Sequence, residues 1–388
     1  FIEKEFDDID YIYISHIHPD HCSVKTLEQL DRKIPILIHN FHFKYLKDQI
    51  QRLGFSVIEL NHNERIHLKN NLHIRILAAD NCNPEICKKY FGCGLAEQTF
   101  GSTSIDSMCV IDNNDEVIVN TNDCPFELGE TSASIIKKEY GEIDFLLLGY
   151  SSATAYPQCF ELNSKELTKS QNEIILSFLS RGESYVNLFS SKYFMPFAGR
   201  YVLSGKNHAL TWKKATPELE EATNYFNNSQ NINHEKNKCI ILNSKSSFNI
   251  TTGKISKPYT SINLDEKKEY VSSILSKYKY DYEYDSMPTL KEIESLISKS
   301  YERFEQIRNQ LNFSSDTKII IDLPEQQFLV MSSNGTGYEI MFTNNLPISK
   351  FLRIQTDPKL LKRLLQGPKF AHWNNAEIGS HLMFKRMP

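Results

Sequence analysis

The sequence predicts an α/β fold, and three observations near its start support this class. The apolar, β-prone run Ile9 to Ile14 is typical of a buried strand. Ser23 to Leu30 follows after a short loop and begins like a helix, with capping residues just ahead of it. Further strands are predicted over 34–38, 55–60 and 72–78, with a helix near 42–53. Such alternation of strands and helices is typical of α/β proteins.

The later elements are predicted from turn residues and periodicity. The turn Asn113-Asn114-Asp115 lies between two apolar runs and predicts a hairpin over 108–120. Polar residues at 80–105 predict an inserted loop. Beyond the hairpin we expect a strand over 144–149, helices over 164–181, 264–280, 288–311 and 357–366, a hairpin over 318–342 and a closing segment over 370–387.

These elements predict two structured regions joined by a linker. Residues 1–215 are expected to form an α/β metal-binding domain. A polar stretch rich in Asn and Ser at 226–238 places a linker or loop region within 216–260. Residues 261–388, with helices and a hairpin, are expected to form a C-terminal α+β accessory region that completes or caps the site.

Composition narrows the class of protein. The chain has 388 residues, 40% of them hydrophobic and 24% charged, which is ordinary for a soluble globular protein. Its net charge of −4 provides no basic surface for nucleic acid or membrane. No apolar stretch approaches the length of a membrane span. Eight irregularly spaced cysteines predict a reducing, cytoplasmic compartment. Among them, Cys82, Cys87 and Cys93 fit free loop thiols better than a zinc or iron–sulfur site.

The segment from Ser15 to His21 contains four residues of metal-ligand type: His16, His18, Asp20 and His21. It lies where a predicted strand ends and a helix begins, the position at which α/β folds place active sites. Imidazole and carboxylate ligands suit zinc, iron or manganese. The alternative is a solvated loop that is rich in histidine. We therefore predict one or two divalent metal ions here.

The pattern His-x-His-x-Asp-His after a buried strand resembles the metal motif of the metallo-β-lactamase superfamily. The resemblance implies an αβ/βα sandwich, with His16 and His18 serving one metal and Asp20 and His21 the second. It also implies several strands ahead of the motif. Only fourteen residues precede Ser15, so we expect those N-terminal strands to be missing here. Superfamily members catalyse many reactions, so the motif does not fix the activity.

Two metals in this superfamily also need a bridging carboxylate. Asp123 is the candidate, because it lies just past a predicted strand in Asn120-Thr121-Asn122-Asp123-Cys124. Metals about 3.5–4 Å apart can share and activate a hydroxide near neutral pH. Asp20 and Asp123 are then expected to orient the water or accept its proton. A helix or turn cap is the alternative role for Asp123.

A closer resemblance is to the metallo-β-lactamase-like part of CMP-N-acetylneuraminate hydroxylases. Its residues are Tyr11 to His21, Asn120 to Cys124, Pro196 to Gly199 and Trp373 to Gly379. In that family an N-terminal Rieske domain passes electrons to a hydroxylating metal centre. This chain has no Rieske Cys-x-His and Cys-x2-His pair. The resemblance implies a Rieske-type electron donor. Its Rieske domain is expected either to lie upstream in the same protein or not to be part of this protein.

The chain departs from this family at two metal-ligand positions. Ser102 occupies the aligned position of the third histidine of the first metal. The last histidine of the second metal aligns near 204–205, and the nearest histidine is His208. We therefore expect at least one metal, with His208 as a further ligand, and leave the second open. His39, after the next predicted strand, is expected at the surface, and the alternative is a position behind the metal ligands.

Substrate-binding residues are predicted in two places. Arg200 follows the Pro196 to Gly199 turn, where its guanidinium can pair with a phosphate or carboxylate of a nucleotide sugar. Trp373, Asn375 and Glu377 can line a polar pocket. The alternatives are a plain surface arginine and a packed terminal helix.

Three functions remain open from the sequence. The preferred one is a cytoplasmic metal-dependent hydrolase that uses a metal-bound water on a polar small molecule derived from a sugar or nucleotide. The second is an iron-dependent hydroxylase that needs a Rieske partner. The third, motivated by Ser102, is a degenerate, non-catalytic binding module.

Overall fold

A computed structural model describes residues 8–79, 106–151, 153–342 and 349–387. Strands and helices alternate through the first half of this part of the chain, so the predicted α/β class is confirmed. Every helix among these residues is too short or too polar to span a lipid bilayer. Four residues discussed above lie outside the described residues: Cys82, Cys87, Cys93 and Ser102.

The chain divides into two compact units, each built from three stretches. The first contains Phe1–Ser152, Leu176–Arg200 and Pro217–Ser261. The second contains Ala153–Ile175, Tyr201–Thr216 and Ile262–Pro388. The domain limits expected from the sequence, at 215 and 260, stay a prediction of how the chain is organised.

The first unit begins with a three-stranded parallel sheet in the order β1-β2-β3. Its strands and helices are β1 (Ile12–Tyr13), α1 (Val24–Leu27), β2 (Ile36–His39), α2 (Tyr45–Arg52) and β3 (Val57–Leu60). Ser23 begins α1 as predicted, because its side chain accepts a hydrogen bond from Thr26 N. The helix is shorter than the predicted 23–30. Ile36 and Ile38 pack against Leu46 and Ile50 of α2 on one face of this sheet.

A seven-stranded sheet follows, with its strands in sequence order. They are β4 (Arg65–His67), β5 (His73–Ala78), β6 (Ser107–Asp112), β7 (Val117–Asn120), β8 (Phe145–Gly149), β9 (Tyr193–Ala198) and β10 (Lys238–Cys239). The strands from β4 to β7 pair antiparallel, and those from β7 to β10 pair parallel. The predicted hairpin at 108–120 is confirmed as β6 and β7.

The helices of this region are α3 (Phe126–Tyr140), α4 (Ser164–Phe189) and α5 (Leu219–Asn228). Helix α4 is longer than the predicted 164–181, and α5 occupies the start of the expected linker region. Two short strands, β11 (Phe248–Asn249) and β12 (Lys254–Ile255), form a hairpin.

The two larger sheets of the first unit share a buried core. Leu37 and Leu60 of the three-stranded sheet pack with Ile74, Ile76 and Cys109 of the seven-stranded sheet. All five side chains are almost completely buried. Apolar burial of this kind is the main force that holds layers together. The loops that leave β1 and β7 are therefore fixed by a common core.

The second unit contains a five-stranded sheet in the order β15-β14-β13-β16-β17. Its strands are β13 (Lys318–Asp322), β14 (Gln327–Ser332), β15 (Tyr338–Phe342), β16 (Phe351–Gln355) and β17 (Met383–Met387). Its helices are α6 (Leu264–Ser273), α7 (Leu290–Gln310), α8 (Pro358–Gln366) and α9 (Trp373–Ile378).

Most elements predicted for this unit are confirmed, but the helix over 264–280 is wrong in extent. Helix α6 ends at Ser273, and a separate 3-10 turn covers Leu275–Lys277. By contrast, α7 and α8 match their predictions closely, because Thr289 and Asp357 cap them.

Candidate metal centre

The loop after β1 folds back on itself and gathers its histidines. The backbone N–H groups of His21 and Cys22 both donate to the carbonyl oxygen of His18, at 3.0 and 2.8 Å. This turn brings His21 back beside the start of the loop, so that its ring lies 4.2 Å from the ring of His16, centroid to centroid. The motif thus forms a compact cluster at the carboxyl end of β1.

Nitrogen and oxygen atoms of ligand type converge in this cluster. His16 Nε2 lies 2.9 Å from His18 Nδ1 and 3.9 Å from Asp123 Oδ2. His21 Nε2 lies 3.0 Å from the same Asp123 oxygen and 3.7 Å from Asp20 Oδ2. Ligand atoms of His16, His21 and Asp123 all lie within 4.8 Å of one another. The structure therefore brings together all five ligands predicted from 16–21 and 120–124.

Asp123 reaches the cluster because the loop after β7 is tightly held. Asn122 takes a left-handed backbone conformation with φ 48°. Its side-chain amide donates to Tyr13 Oη at 3.0 Å and to the carbonyl oxygen of Ser107 at 2.6 Å. These contacts tie the loop to β1 and to the start of β6. The position of Asp123 is thus set by three strands.

The site is closed on one side and open on the other. His16 is buried, whereas the side chain of His21 is 20% exposed and that of Asp123 is 40% exposed. Asp20 is the most open, with 56% of its side chain exposed. A small molecule can therefore approach from the Asp20 side, while the ring of His16 is shielded from water.

A second layer of polar groups lies behind the rings. Ser15 Oγ is 2.9 Å from His16 Nδ1, and Asp106 Oδ1 is 3.3 Å from the same nitrogen. Asp106 also accepts a hydrogen bond from Ser107 N at 2.7 Å. Such partners fix the tautomer and orientation of a ligating histidine. With Nδ1–H donated to them, His16 presents the lone pair of Nε2 to the cluster.

The electrostatics of the cluster favour a positive charge. Burial lowers the pKa of His21, but the hydrogen bond and charge of Asp123 outweigh it and raise this pKa to about 9. Burial raises the pKa of Asp123, but His21 and the other two imidazoles outweigh it and hold this pKa low. Burial and the neighbouring His16 lower the pKa of His18. A cation is therefore stabilised beside Asp123.

The donor set fits a divalent metal ion. The described ion pairs of the carboxylates Asp20, Asp106 and Asp123 are all with histidine. Asp106 is 3% exposed, yet its Oδ2 has no hydrogen-bond partner among the described residues. Buried carboxylates are costly unless paired with positive charge. Imidazole nitrogens and carboxylate oxygens in this arrangement suit zinc, iron or manganese.

The remaining predicted residues lie in other surroundings. His208 belongs to the second unit, in a 3-10 helix over Gly205–Lys213, and its Nδ1 lies 2.9 Å from the carbonyl oxygen of Gly205. Arg200 forms an ion pair with Glu218 at 2.6 Å. Their roles stay predictions.

The predicted pocket residues 373–377 lie on α9 of the second unit. Trp373 is half-buried and packs against the apolar core of that unit. Asn375 and Glu377 are exposed. A substrate-binding role for these three residues also stays a prediction.

Sequence reasoning missed the groups that orient the ligands. Tyr13, Ser107 and Asn122 form the hydrogen bonds that hold both loops, and Asp106 supports His16. One signal was available, since Tyr13 places a hydroxyl in an otherwise apolar strand next to the motif. The expectation of a surface position for His39 is wrong, because this side chain is 1% exposed.

Comparisons with known proteins return matches of low identity. No family model matches the chain. An inferred Rieske 2Fe-2S iron-sulfur protein of Mycobacterium tuberculosis is 24% identical over 196 residues, which are 49% of this chain and 34% of that protein. Its counterpart from Mycolicibacterium smegmatis is 24% identical over 203 residues, or 50% and 34%. The chain spans about a third of the length of these relatives.

Several solved structures align with part of the chain. An isothiocyanate hydrolase from Delia radicum gut bacteria has a TM-score of 0.41 at 13% identity, covering 62% of this chain and 77% of its own. CmlA, a diiron beta-hydroxylase from Streptomyces venezuelae, has a TM-score of 0.37 at 13% identity, covering 60% and 44%. A metallo-beta-lactamase fold protein from Bacillus subtilis, YhfI, has a TM-score of 0.30 at 11% identity, covering 60% and 75%.

Proposed function

We propose that this protein is a metal-dependent enzyme that acts on a polar small molecule derived from a sugar or nucleotide. The observation that carries the proposal is the convergence of the His16 and His21 imidazoles on the Asp123 carboxylate, with the His18 ring beside His16. The resemblance of the motif to the metallo-β-lactamase superfamily and the fold of the similar solved structures support it. Hydrolysis is the preferred reaction.

Two metal positions are assigned to the ligand atoms. His16 Nε2, His18 Nδ1 and Asp123 would hold the first ion, and Asp20, His21 Nε2 and Asp123 would hold the second. A divalent ion bound here would lower the pKa of a coordinated water and polarise a substrate oxygen.

The residues of the chain perform the remaining tasks. Asp123, whose side chain is 40% exposed, would accept the proton that a water molecule loses when it attacks the substrate. Asp20, at the open side of the cluster, orients that water. The ring of His16 is shielded from water. Solvent therefore does not compete for hydrogen bonds to its Nε2 atom, and the lone pair of that atom stays available for a metal ion.

Substrate recognition is assigned to the predicted polar residues. Arg200 would exchange its ion pair with Glu218 for a phosphate or carboxylate of the substrate. Trp373, Asn375 and Glu377 are proposed as further substrate contacts. A reducing, cytoplasmic location is supported by free thiols in the part of the chain that the structure describes: Cys22, Cys109, Cys159 and Cys239.

A second candidate is an iron-dependent hydroxylase with a Rieske-type electron donor as its partner. The observation that favours it is the match to curated relatives that are named as Rieske proteins and are about three times longer than the matched region. A Rieske domain would supply electrons that a hydrolase does not need. The identity of the bound metal separates the two candidates.

Elemental analysis of the protein purified without added metal tests this proposal. We expect one or two equivalents per chain, lost in His16→Ala and Asp123→Ala but kept in His67→Ala, a control at an exposed strand position. Zinc or manganese supports the hydrolase, whereas iron with an iron–sulfur spectrum supports the hydroxylase. An absence of metal even after reconstitution would overturn both and leave a binding module.

A further inference from the structure

A single hydroxyl group lies behind two of the metal-facing rings. Ser15 Oγ is 2.9 Å from Nδ1 of His16 and 3.2 Å from Nδ1 of His21. The opposite nitrogens of these rings face Asp123 Oδ2, at 3.9 and 3.0 Å. His16 is assigned to the first metal and His21 to the second. Ser15 Oγ is therefore in contact with one histidine of each ligand set, on the side of each ring that faces away from Asp123.

The chemistry of a hydroxyl suits this position. Its oxygen has two lone pairs and can accept from both Nδ1–H groups. A neutral imidazole that carries its proton on Nδ1 has its lone pair on Nε2, the atom that must bind the metal. One oxygen thus selects the binding tautomer of both rings and fixes their rotation about the Cβ–Cγ bond.

The hydroxyl is itself held in place. Ser15 is 4% exposed, and its carbonyl oxygen accepts a hydrogen bond from Ser107 Oγ at 2.9 Å. Ser107 also lies 2.9 Å from the hydroxyl of Tyr13. The backbone N–H of Ile14, just ahead, donates to Leu37 of β2 at 3.1 Å. The main chain at Ser15 therefore has little freedom, and only its side-chain rotamer remains to be set.

The two rings do not depend on Ser15 equally. Nδ1 of His16 has a second acceptor in Asp106 Oδ1, at 3.3 Å. For Nδ1 of His21, Ser15 Oγ is the acceptor found among the described residues. Loss of the hydroxyl would therefore release the ring of His21, whereas Asp106 would continue to hold that of His16.

We propose that Ser15 is a positioning residue that couples the two metal positions, with the second depending on it more strongly. The inference rests on the proposed function, because it needs both ligand sets to bind metal. Occupation of the first position orders His16 and the Ser15 rotamer that accepts from it. The same rotamer presents Oγ to His21, so the second ion meets a ring already oriented.

Titration of the metal-free protein with Co²⁺, against a chromophoric chelator, tests the proposal. We expect wild type to bind two equivalents. In Ser15→Ala, the affinity for the second equivalent should fall by about 10- to 100-fold, the usual effect of losing a hydrogen-bond partner of a metal ligand. The affinity for the first equivalent should fall by less. Ser15→Thr keeps the hydroxyl and should restore both. Ser56→Ala, at an exposed serine, is the control. The visible Co²⁺ spectrum reports the geometry of each equivalent.

The outcomes separate the two claims. A wild type that binds no cobalt overturns the proposed function and this inference together. Binding of a single equivalent by wild type overturns the coupling but leaves a one-metal enzyme. Equal affinities in wild type and Ser15→Ala overturn the inference alone. So does a Ser15→Thr variant as weak as Ser15→Ala while its circular dichroism matches wild type, since the hydroxyl would then not be the determinant.

Discussion

Asp106 Oδ1 lies 3.3 Å from Nδ1 of His16, while the other nitrogen of that ring lies 3.9 Å from Asp123 Oδ2. One buried imidazole is thus placed between two carboxylates, one on each side. The inner carboxylate is 3% exposed and is anchored by Ser107 N. This arrangement is the carboxylate–histidine pairing that orients a metal ligand and increases its basicity.

Asp106→Asn should weaken the first metal equivalent by about 10- to 100-fold, because the amide is a weaker acceptor for Nδ1–H. The second equivalent should change less, the reverse of the pattern expected for Ser15→Ala. Chelator competition with Co²⁺ measures both steps. Asp115→Asn, in the exposed β6–β7 turn, serves as the control. Unchanged affinity at both steps in Asp106→Asn would show that the inner carboxylate has no such role.

Gly149→Ala should disturb the metal centre from outside it. A Cβ at this position would lie 2.8 Å from the carbonyl oxygen of Asn122, so the loop that carries Asp123 must move. We expect a loss of about 1–3 kcal/mol in the free energy of unfolding, together with weaker metal binding. Denaturant unfolding and Co²⁺ titration measure the two effects. Gly182→Ala is the control, because a Cβ at this position would contact side-chain atoms rather than the backbone of the Asp123 loop. This variant should bind metal like wild type.

Asn122 has two separable tasks, and a pair of variants distinguishes them. Its left-handed backbone, at φ 48°, disfavours most side chains, and its amide makes two hydrogen bonds. Asn122→Gly removes the hydrogen bonds, at about 1 kcal/mol each, without straining the left-handed backbone. Asn122→Ala also adds backbone strain, so it should be less stable by about a further 1 kcal/mol. Thermal unfolding measures the stability of both variants. A higher melting temperature for Asn122→Ala than for Asn122→Gly would contradict this account.

His39 should make the fold sensitive to acid. Burial, with contributions from His62 and Lys44, lowers its pKa to about 3. Neither ring nitrogen has a hydrogen-bond partner in the described part of the chain. Between pH 6.5 and 3 the unfolded chain binds a proton that the folded protein excludes, so stability falls as the pH falls. The expected slope is about 1.4 kcal/mol per pH unit.

A substitution isolates this contribution. His39→Leu removes the titrating group and two polar atoms that have no hydrogen-bond partner among the described residues, so its stability at pH 7 should equal or exceed that of wild type. Its free energy of unfolding should vary less with pH between 6.5 and 3. Denaturant unfolding at several pH values gives both quantities. If the two proteins show the same pH slope, His39 is not protonated on unfolding in the way that its burial implies.

The parts of the fold that were predictable are those encoded locally. The strand before His16, the cap at Ser23 and the turn between β6 and β7 each depend on a few adjacent residues. The same is true of the caps of α7 and α8. Helix α6 was extended too far in the prediction, since its apolar residues continue past Ser273 into a 3-10 turn.

The support for the ligands was not predictable, because it depends on contacts between distant strands. His39 has a polar side chain after an apolar run, which is compatible with either a surface or a buried position. Its burial depends on how β2 packs against the seven-stranded sheet. The role of Asp106 likewise requires β6 to start beside the loop of β1. Sequence spacing gives no measure of either arrangement.

The proposed ligands come from two different sheets, since His16 and His21 follow β1 and Asp123 follows β7. An ion held by all three would also work as a removable cross-link, closing a long loop of chain in the manner of a disulfide. Its binding energy would add to the resistance of the first unit to heat and to proteases, by an amount that rises with the logarithm of the free metal concentration. Scarcity of metal would then shorten the lifetime of the protein as well as stop its chemistry.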